Sequence, residues 1–265
     1  MSAFHTIELS DPRFEAEGLR WITVKSLALK QRADITLFVP QVKRLSVNVP
    51  VAILLHGIYG SHWAWALKGG AHRTAQRLIR RGDIPPLVLA MPSDGLWGDG
   101  SGYLKHADKN FERWIVDEVP AATRETVKQV TGKSPLFISG LSMGGYGALR
   151  LGALNAKRFR AISAHSSVTD FHQLAAAIEE PLRAYNLPKG DFSVLAAILR
   201  HRRALPALRF DCGTSDRLLE HNRTLHRELE SRGIAHVYEE FPGGHEWSYW
   251  EKHLEDSLRF FAQCL

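Results

Sequence analysis

The chain has 265 residues, 45% hydrophobic and 23% charged, a composition that can bury a large core within one domain. Its formal charge of +6 is scattered, and the densest basic run, Leu199-Arg200-His201-Arg202-Arg203, lacks interleaved aromatics, so a nucleic-acid interface is not expected. Two cysteines, Cys212 and Cys264, make no disulfide framework, and the thirteen histidines form no HExxH or paired metal spacing. No stretch approaches the roughly 18 apolar residues of a membrane span, and the first residues carry acids and no apolar leader core, so the sequence predicts a soluble cytoplasmic protein with no metal and no membrane partner.

In chain order, Arg20 to Ser26 and Ala33 to Val39 alternate apolar and polar residues and predict two antiparallel strands at a sheet edge, the second closed by Pro40. Pro50 to Leu55 is continuously apolar, as a strand covered on both faces should be. It runs into His56-Gly57-Ile58-Tyr59-Gly60, a glycine-rich turn that exposes backbone N–H groups at the carboxyl edge of the sheet. A helix is predicted over His72 to Arg81, stopped by Gly82, and a buried strand over Leu87 to Met91. The loop from Pro92 to Lys109 is long for a compact domain. It brings Trp97 and Tyr103 forward as candidate pocket-lining residues; the alternative, that they anchor the loop, fits the sequence as well. Trp63 and Trp65, on a segment leaving the same edge, join them as candidates, as does His56.

Phe111, Trp114, Ile115, Val119 and Ala122 form one apolar helical stripe. Pro135 to Leu149 then reads as strand, tight turn and helix. Within it, Gly140-Leu141-Ser142-Met143-Gly144 fits Gly-x-Ser-x-Gly, a strained elbow that lifts a serine hydroxyl off the end of a strand. Strands follow at Ala161 to His165, Ala207 to Cys212 and His236 to Phe241, with helices through Leu218 to Leu229 and Trp247 to Phe261. Ser167 to Arg203, interrupted by Pro181 and Pro188, is predicted to be a cap or insertion. Strands alternating with helices imply an α/β fold, a single domain over residues 1–265 around a mostly parallel sheet with helices on both faces.

A serine hydroxyl needs a base within hydrogen-bond reach and a carboxylate to orient that base. His245, in Pro242-Gly243-Gly244-His245-Glu246-Trp247, follows the last strand and is the candidate base; His56, His106 and His165 are rivals on other loops. Asp216, in Gly213-Thr214-Ser215-Asp216, is the candidate acid, although the same carboxylate could serve as a helix N-cap. Asp170 is the second choice, and Asp211, inside a strand, a poorer one. The chain order Ser142, Asp216, His245 is that of α/β-hydrolases.

With HGIYGS, GLSMGGYGAL, CGTSD and PGGHEW in that order, the chain resembles the esterase D group of α/β-hydrolases: tributyrin esterases, S-formylglutathione hydrolases, feruloyl esterases and mycolyltransferases. The resemblance runs from about Val51 to Phe261. It implies nucleophile Ser142, with Asp216 and His245 completing the triad, and oxyanion N–H groups from Ile58 and Met143; the reading is a serine carboxylesterase, and Trp63, Trp65, Trp97 and Tyr103 around Ser142 would leave a small acyl pocket that favours short-chain acyl esters. Its partner is a small-molecule ester and it uses no cofactor; a homo-oligomer is compatible with this reading. A thioesterase of the S-formylglutathione type is the second enzyme reading, and a non-catalytic binding protein on the same scaffold is the rival from another class.

Overall fold

The computed structural model describes residues 2–187, 189–190 and 192–265. Its elements are strands β1 (Ile7–Leu9), β2 (Leu19–Ser26), β3 (Gln31–Phe38) and β4 (Val51–Leu55), then helices α1 (Ala64–Leu67) and α2 (Ala71–Arg81). Strand β5 (Val88–Pro92) precedes a two-residue hairpin, β6 (Lys105–His106) with β7 (Lys109–Asn110), and helices α3 (Phe111–Arg113) and α4 (Val119–Thr126). The second half comprises β8 (Leu136–Leu141), α5 (Met143–Leu154), β9 (Ala161–His165), α6 (Val194–His201), β10 (Ala207–Gly213), α7 (Leu219–Ser231), β11 (Val237–Phe241) and α8 (Trp247–Gln263).

Nine strands form one sheet in the order β1-β2-β3-β5-β4-β8-β9-β10-β11. The first three pairings are antiparallel and the remaining five parallel. Strand β4 explains why its sequence shows no alternation: Val51, Ile53 and Leu55 enter one core, while Ala52 and Leu54 enter the other on the opposite face. The first core takes α3 to α7 and the second α1, α2 and α8, where Phe137 of β8 stacks on Phe261 of α8 at 4.7 Å. Helix α5 is buried almost all round, with Arg150 and Leu154 its partly exposed exceptions, because it lies between the sheet and α6.

The sequence missed the short edge strand β1 and the one-turn helix α1. The amphipathic stripe from Phe111 also forms three pieces, because Trp114–Glu118 winds as a π-helix. Pro120 has no N–H for the Val116 carbonyl, which instead accepts Arg158 Nη1 at 3.0 Å.

The predicted cap contains the 3-10 helices Phe171–Ala176 and Leu182–Tyr185 followed by α6; Pro188, read as one of its interruptions, lies outside the described residues. It is tied to the Pro92 to Lys109 loop: Glu179 N–H donates to Asp99 Oδ2 at 2.6 Å, Asp99 N–H to Glu180 Oε2 at 3.0 Å, and Tyr185 OH to Gly100 O at 2.6 Å. No helix among the described residues is long and apolar enough to cross a membrane.

Candidate active site

Ser142 is the single residue between β8 and α5, with φ 55° and ψ −119°. A non-glycine side chain held at positive φ costs on the order of 1–3 kcal/mol, so the surroundings must enforce it. They do so from both sides: Ser142 N–H donates to His165 O at 3.0 Å, while Ser142 O accepts Tyr146 N–H at 3.1 Å and Val168 N–H at 3.2 Å. The two motif glycines are steric requirements. A Cβ on Gly140 would sit 2.2 Å from Gly144 O, and one on Gly144 would sit 2.2 Å from Leu55 O.

His245, on the loop between β11 and α8, brings Nε2 to 2.9 Å from Ser142 Oγ. Its Nδ1 lies 2.8 Å and 3.0 Å from the two carboxylate oxygens of Asp216. Facing a carboxylate, Nδ1 carries the proton and leaves Nε2 to accept the serine hydroxyl. The Trp250 indole meets the imidazole edge-on at 5.0 Å and restricts the ring. Asp216 Oδ1 also accepts Leu218 N–H at 2.8 Å, so the carboxylate supports the start of α7 and orients the histidine at once. Burial pushes the Asp216 carboxyl up, but the hydrogen bond and charge of His245 and the Leu218 N–H together hold it below the usual carboxylate range.

The rival residues are engaged elsewhere. Asp170 caps a 3-10 helix and accepts His172 N–H and Nδ1 at 2.9 and 2.8 Å. Asp211 binds His165, Arg209 and Tyr249, and His106 is spent on Ser101 O at 2.8 Å. His56 Nδ1 donates to Gly57 O at 2.7 Å and Nε2 accepts Asp94 N–H at 3.0 Å, so the ring pins the loop that carries Ile58. Among the described residues, the backbone N–H groups of Ile58 and Met143 have no hydrogen-bond acceptor.

Two clefts meet at Ser142 and share Ile58, Ser142 and Arg217. One, of about 480 Å³, is walled by Trp63, Trp247, Trp250, His245, Lys68 and Glu246. The other, of about 330 Å³, runs under the cap past Val168, Leu174, Ala175 to Ala177 and Leu218. A larger cleft of about 810 Å³, lined by Glu17, Arg73 and Arg77, contains none of Ser142, Asp216 and His245.

Only Trp63 of the five pocket candidates lines the space beside Ser142. Trp65 is buried beneath it, its Nε1–H bonded to Leu55 O at 2.9 Å. Tyr103 is buried with its hydroxyl on His56 O at 2.9 Å. Trp97 packs against Tyr185 and His106 at 4.5 and 4.7 Å and so anchors its loop, and His56 is buried as described. Trp65 and Tyr103 spend their polar atoms on the Leu55 and His56 carbonyls rather than on a ligand. Sequence reasoning missed Trp247 and Trp250. Both follow His245 on the first turns of α8, and placing that helix against the histidine loop would have found them.

A doubly covered parallel sheet, a strained serine at a strand end and a histidine and aspartate on two later strand-end loops define an α/β-hydrolase with a Ser-His-Asp arrangement. The comparisons with known proteins agree. The family model described as "Putative esterase" matches residues 26–261. An acetyl esterase of Caldicellulosiruptor saccharolyticus is 30% identical over 237 residues, covering 82% of this chain and 85% of that protein. An S-formylglutathione hydrolase of Arabidopsis thaliana is 28% identical over 147 residues, about half of each chain at 51%. Among solved structures, a ferulic acid esterase shares the fold at TM-score 0.78 and 22% identity, covering 98% of this chain and 100% of that one. The chain belongs to this esterase family and is a serine ester hydrolase.

Proposed function

We propose that the protein hydrolyses short-chain acyl esters with Ser142 as nucleophile, His245 as general base and acid, and Asp216 as the carboxylate that fixes the histidine tautomer. The continuous chain Ser142 Oγ, His245 Nε2, His245 Nδ1, Asp216 carboxylate, with every link between 2.8 and 3.0 Å, carries this reading. As Oγ attacks the ester carbonyl, its proton passes to Nε2, and the imidazolium is stabilised by the carboxylate. The oxyanion is received by the Ile58 and Met143 N–H groups, donors with no competing acceptor among the described residues. His245 returns the proton to the leaving alcohol, and a water activated by the same Nε2 then releases the acid.

The acetyl esterase relative supports a small acyl group. In a series of 4-nitrophenyl esters from acetyl to palmitoyl, kcat/KM should be highest between acetyl and butyryl and fall beyond hexanoyl. Ser142→Ala should lower kcat by on the order of 10⁶-fold. Turnover by that variant near the wild-type rate would end the assignment, and a maximum at palmitoyl would replace it with a lipase. The S-formylglutathione hydrolase relative favours a second reading, thioester hydrolysis through the same acyl-enzyme. Matched thioester and oxygen-ester substrates separate the two.

A further inference from the structure

The two clefts flanking Ser142 have different walls, and the chemistry of the triad assigns them. The leaving oxygen must take its proton from His245 Nε2. His245 is part of the aromatic cleft and not of the cleft under the cap, so the alcohol leaves by the tryptophans and the acyl chain extends under the cap. The acyl cleft has a volume of about 330 Å³, against about 480 Å³ for the aromatic one. Its walls are apolar near the serine and are joined by Arg217 and His221.

Arg217 is exposed and, among the described residues, has no hydrogen bond or ion pair. No carboxylate lines the acyl cleft, whereas Glu246 lines the aromatic one. Asp99, Glu179 and Glu180 act with Arg217 on Tyr59; Asp99 and Glu180 accept the Glu179 and Asp99 N–H groups, and among the described residues none of the three acids forms an ion pair with Arg217. His172, also in the acyl cleft, is committed to Asp170. An unpaired guanidinium at an apolar cleft is a receptor for a planar anion.

We propose that Arg217 is a specificity-determining residue that selects acyl groups ending in a carboxylate, so that half-esters of dicarboxylic acids are preferred over neutral acyl esters of the same length. This rests on the esterase reading and extends it to the acyl side of the substrate. The test compares mono-4-nitrophenyl adipate with 4-nitrophenyl hexanoate, which share leaving group and chain length. The ratio of their kcat/KM values cancels effects common to both. That ratio should fall by roughly 10- to 100-fold in Arg217→Gln, recover in part in Arg217→Lys, and in the wild type decrease as salt rises. A ratio within about twofold of wild type in Arg217→Gln, or one independent of salt in the wild-type enzyme, overturns the inference, and the salt measurement decides even if the variants do not fold. Hexanoate turnover that is lost in Ser142→Ala leaves the esterase reading standing when only the ratio fails; absence of hexanoate turnover by the wild type defeats both.

Discussion

Among the described residues two Ser-His-Asp hydrogen-bond chains have nearly the same dimensions, and they differ in access to solvent. In the cleft, His245 bridges Ser142 and Asp216 at 2.9 and 2.8 Å. Inside the second core layer, His165 bridges Ser257 and Asp211 at 2.8 Å on each side. The interior chain has no solvent exposure at any of its three residues. Its serine lies inside α8 and shares its hydroxyl with Ser163 at 2.7 Å, and its aspartate is claimed by Arg209 and Tyr249. Ser142, in contrast, sits in a strained turn that opens on two clefts, beside two backbone N–H donors. Hydrogen-bond lengths therefore do not make a nucleophile; access, an unshared hydroxyl and waiting oxyanion donors do.

The interior chain still serves the outer one. The His165 carbonyl accepts the Ser142 N–H, the Asp211 carbonyl accepts the Ser166 N–H, and the Trp65 ring, held on Leu55 O, stands 6.3 Å from His165 and 5.7 Å from Trp247. The first region opens on the clefts, and the second holds the backbone beneath it.

Mutating the matching aspartates breaks this comparison most sharply. Asp216→Asn should lower kcat by on the order of 10⁴-fold while leaving the unfolding midpoint close to wild type, because the amide misorients His245 without emptying the core. A loss of activity no greater than that of Asp170→Asn, in a head-to-head ester assay, would move the acid elsewhere.

Asp211→Leu should do the reverse, costing about 1–3 kcal/mol in denaturant unfolding, since it takes the acceptor from the buried His165 and Tyr249 while Arg209 keeps Glu239. Burial raises the Asp211 carboxyl, but His165, Arg209 and Tyr249 outweigh it and hold it below its ordinary value. Its stabilisation is thus complete above roughly pH 4 and is lost as pH falls through the lower folded-state value. The variant should show a weaker acid dependence of stability than wild type; an unchanged acid limb would mean that Asp211 is not a source of it.

The smallest effect sharpens the contrast. Ser257→Ala should cost about 1 kcal/mol of stability and leave the fluorophosphonate labelling rate nearly unchanged, because Ser142 is the residue labelled. Loss of labelling would show that the interior serine reacts.

Much of the fold and the three residues that meet in the cleft could be read without coordinates because each left a local mark. Ser142 lies between glycines whose Cβ atoms would strike backbone at 2.2 Å, and no other residue type fits those two sites. Asp216 and His245 each follow a run of strand residues, so their order along the chain already placed them at one edge of the sheet. The continuous apolar run of β4 announced two covered faces. Side-chain direction in the loops had no such mark. Trp63 and Trp65 are two residues apart in a segment with no long periodicity, and only packing turned one toward the cleft and drew the other down to Leu55 O.

The interior chain was illegible for a related reason. His165, Asp211 and Ser257 come from β9, β10 and α8, carry no motif, and meet only because parallel strands and the last helix align them. The sequence by itself determined most of the order of strands and helices and singled out the serine, histidine and aspartate that meet in the cleft, because strand period and glycine sterics act over a few positions. The tertiary structure alone decided which aromatics face the substrate and which serine is free, because those depend on contacts between segments far apart in the chain.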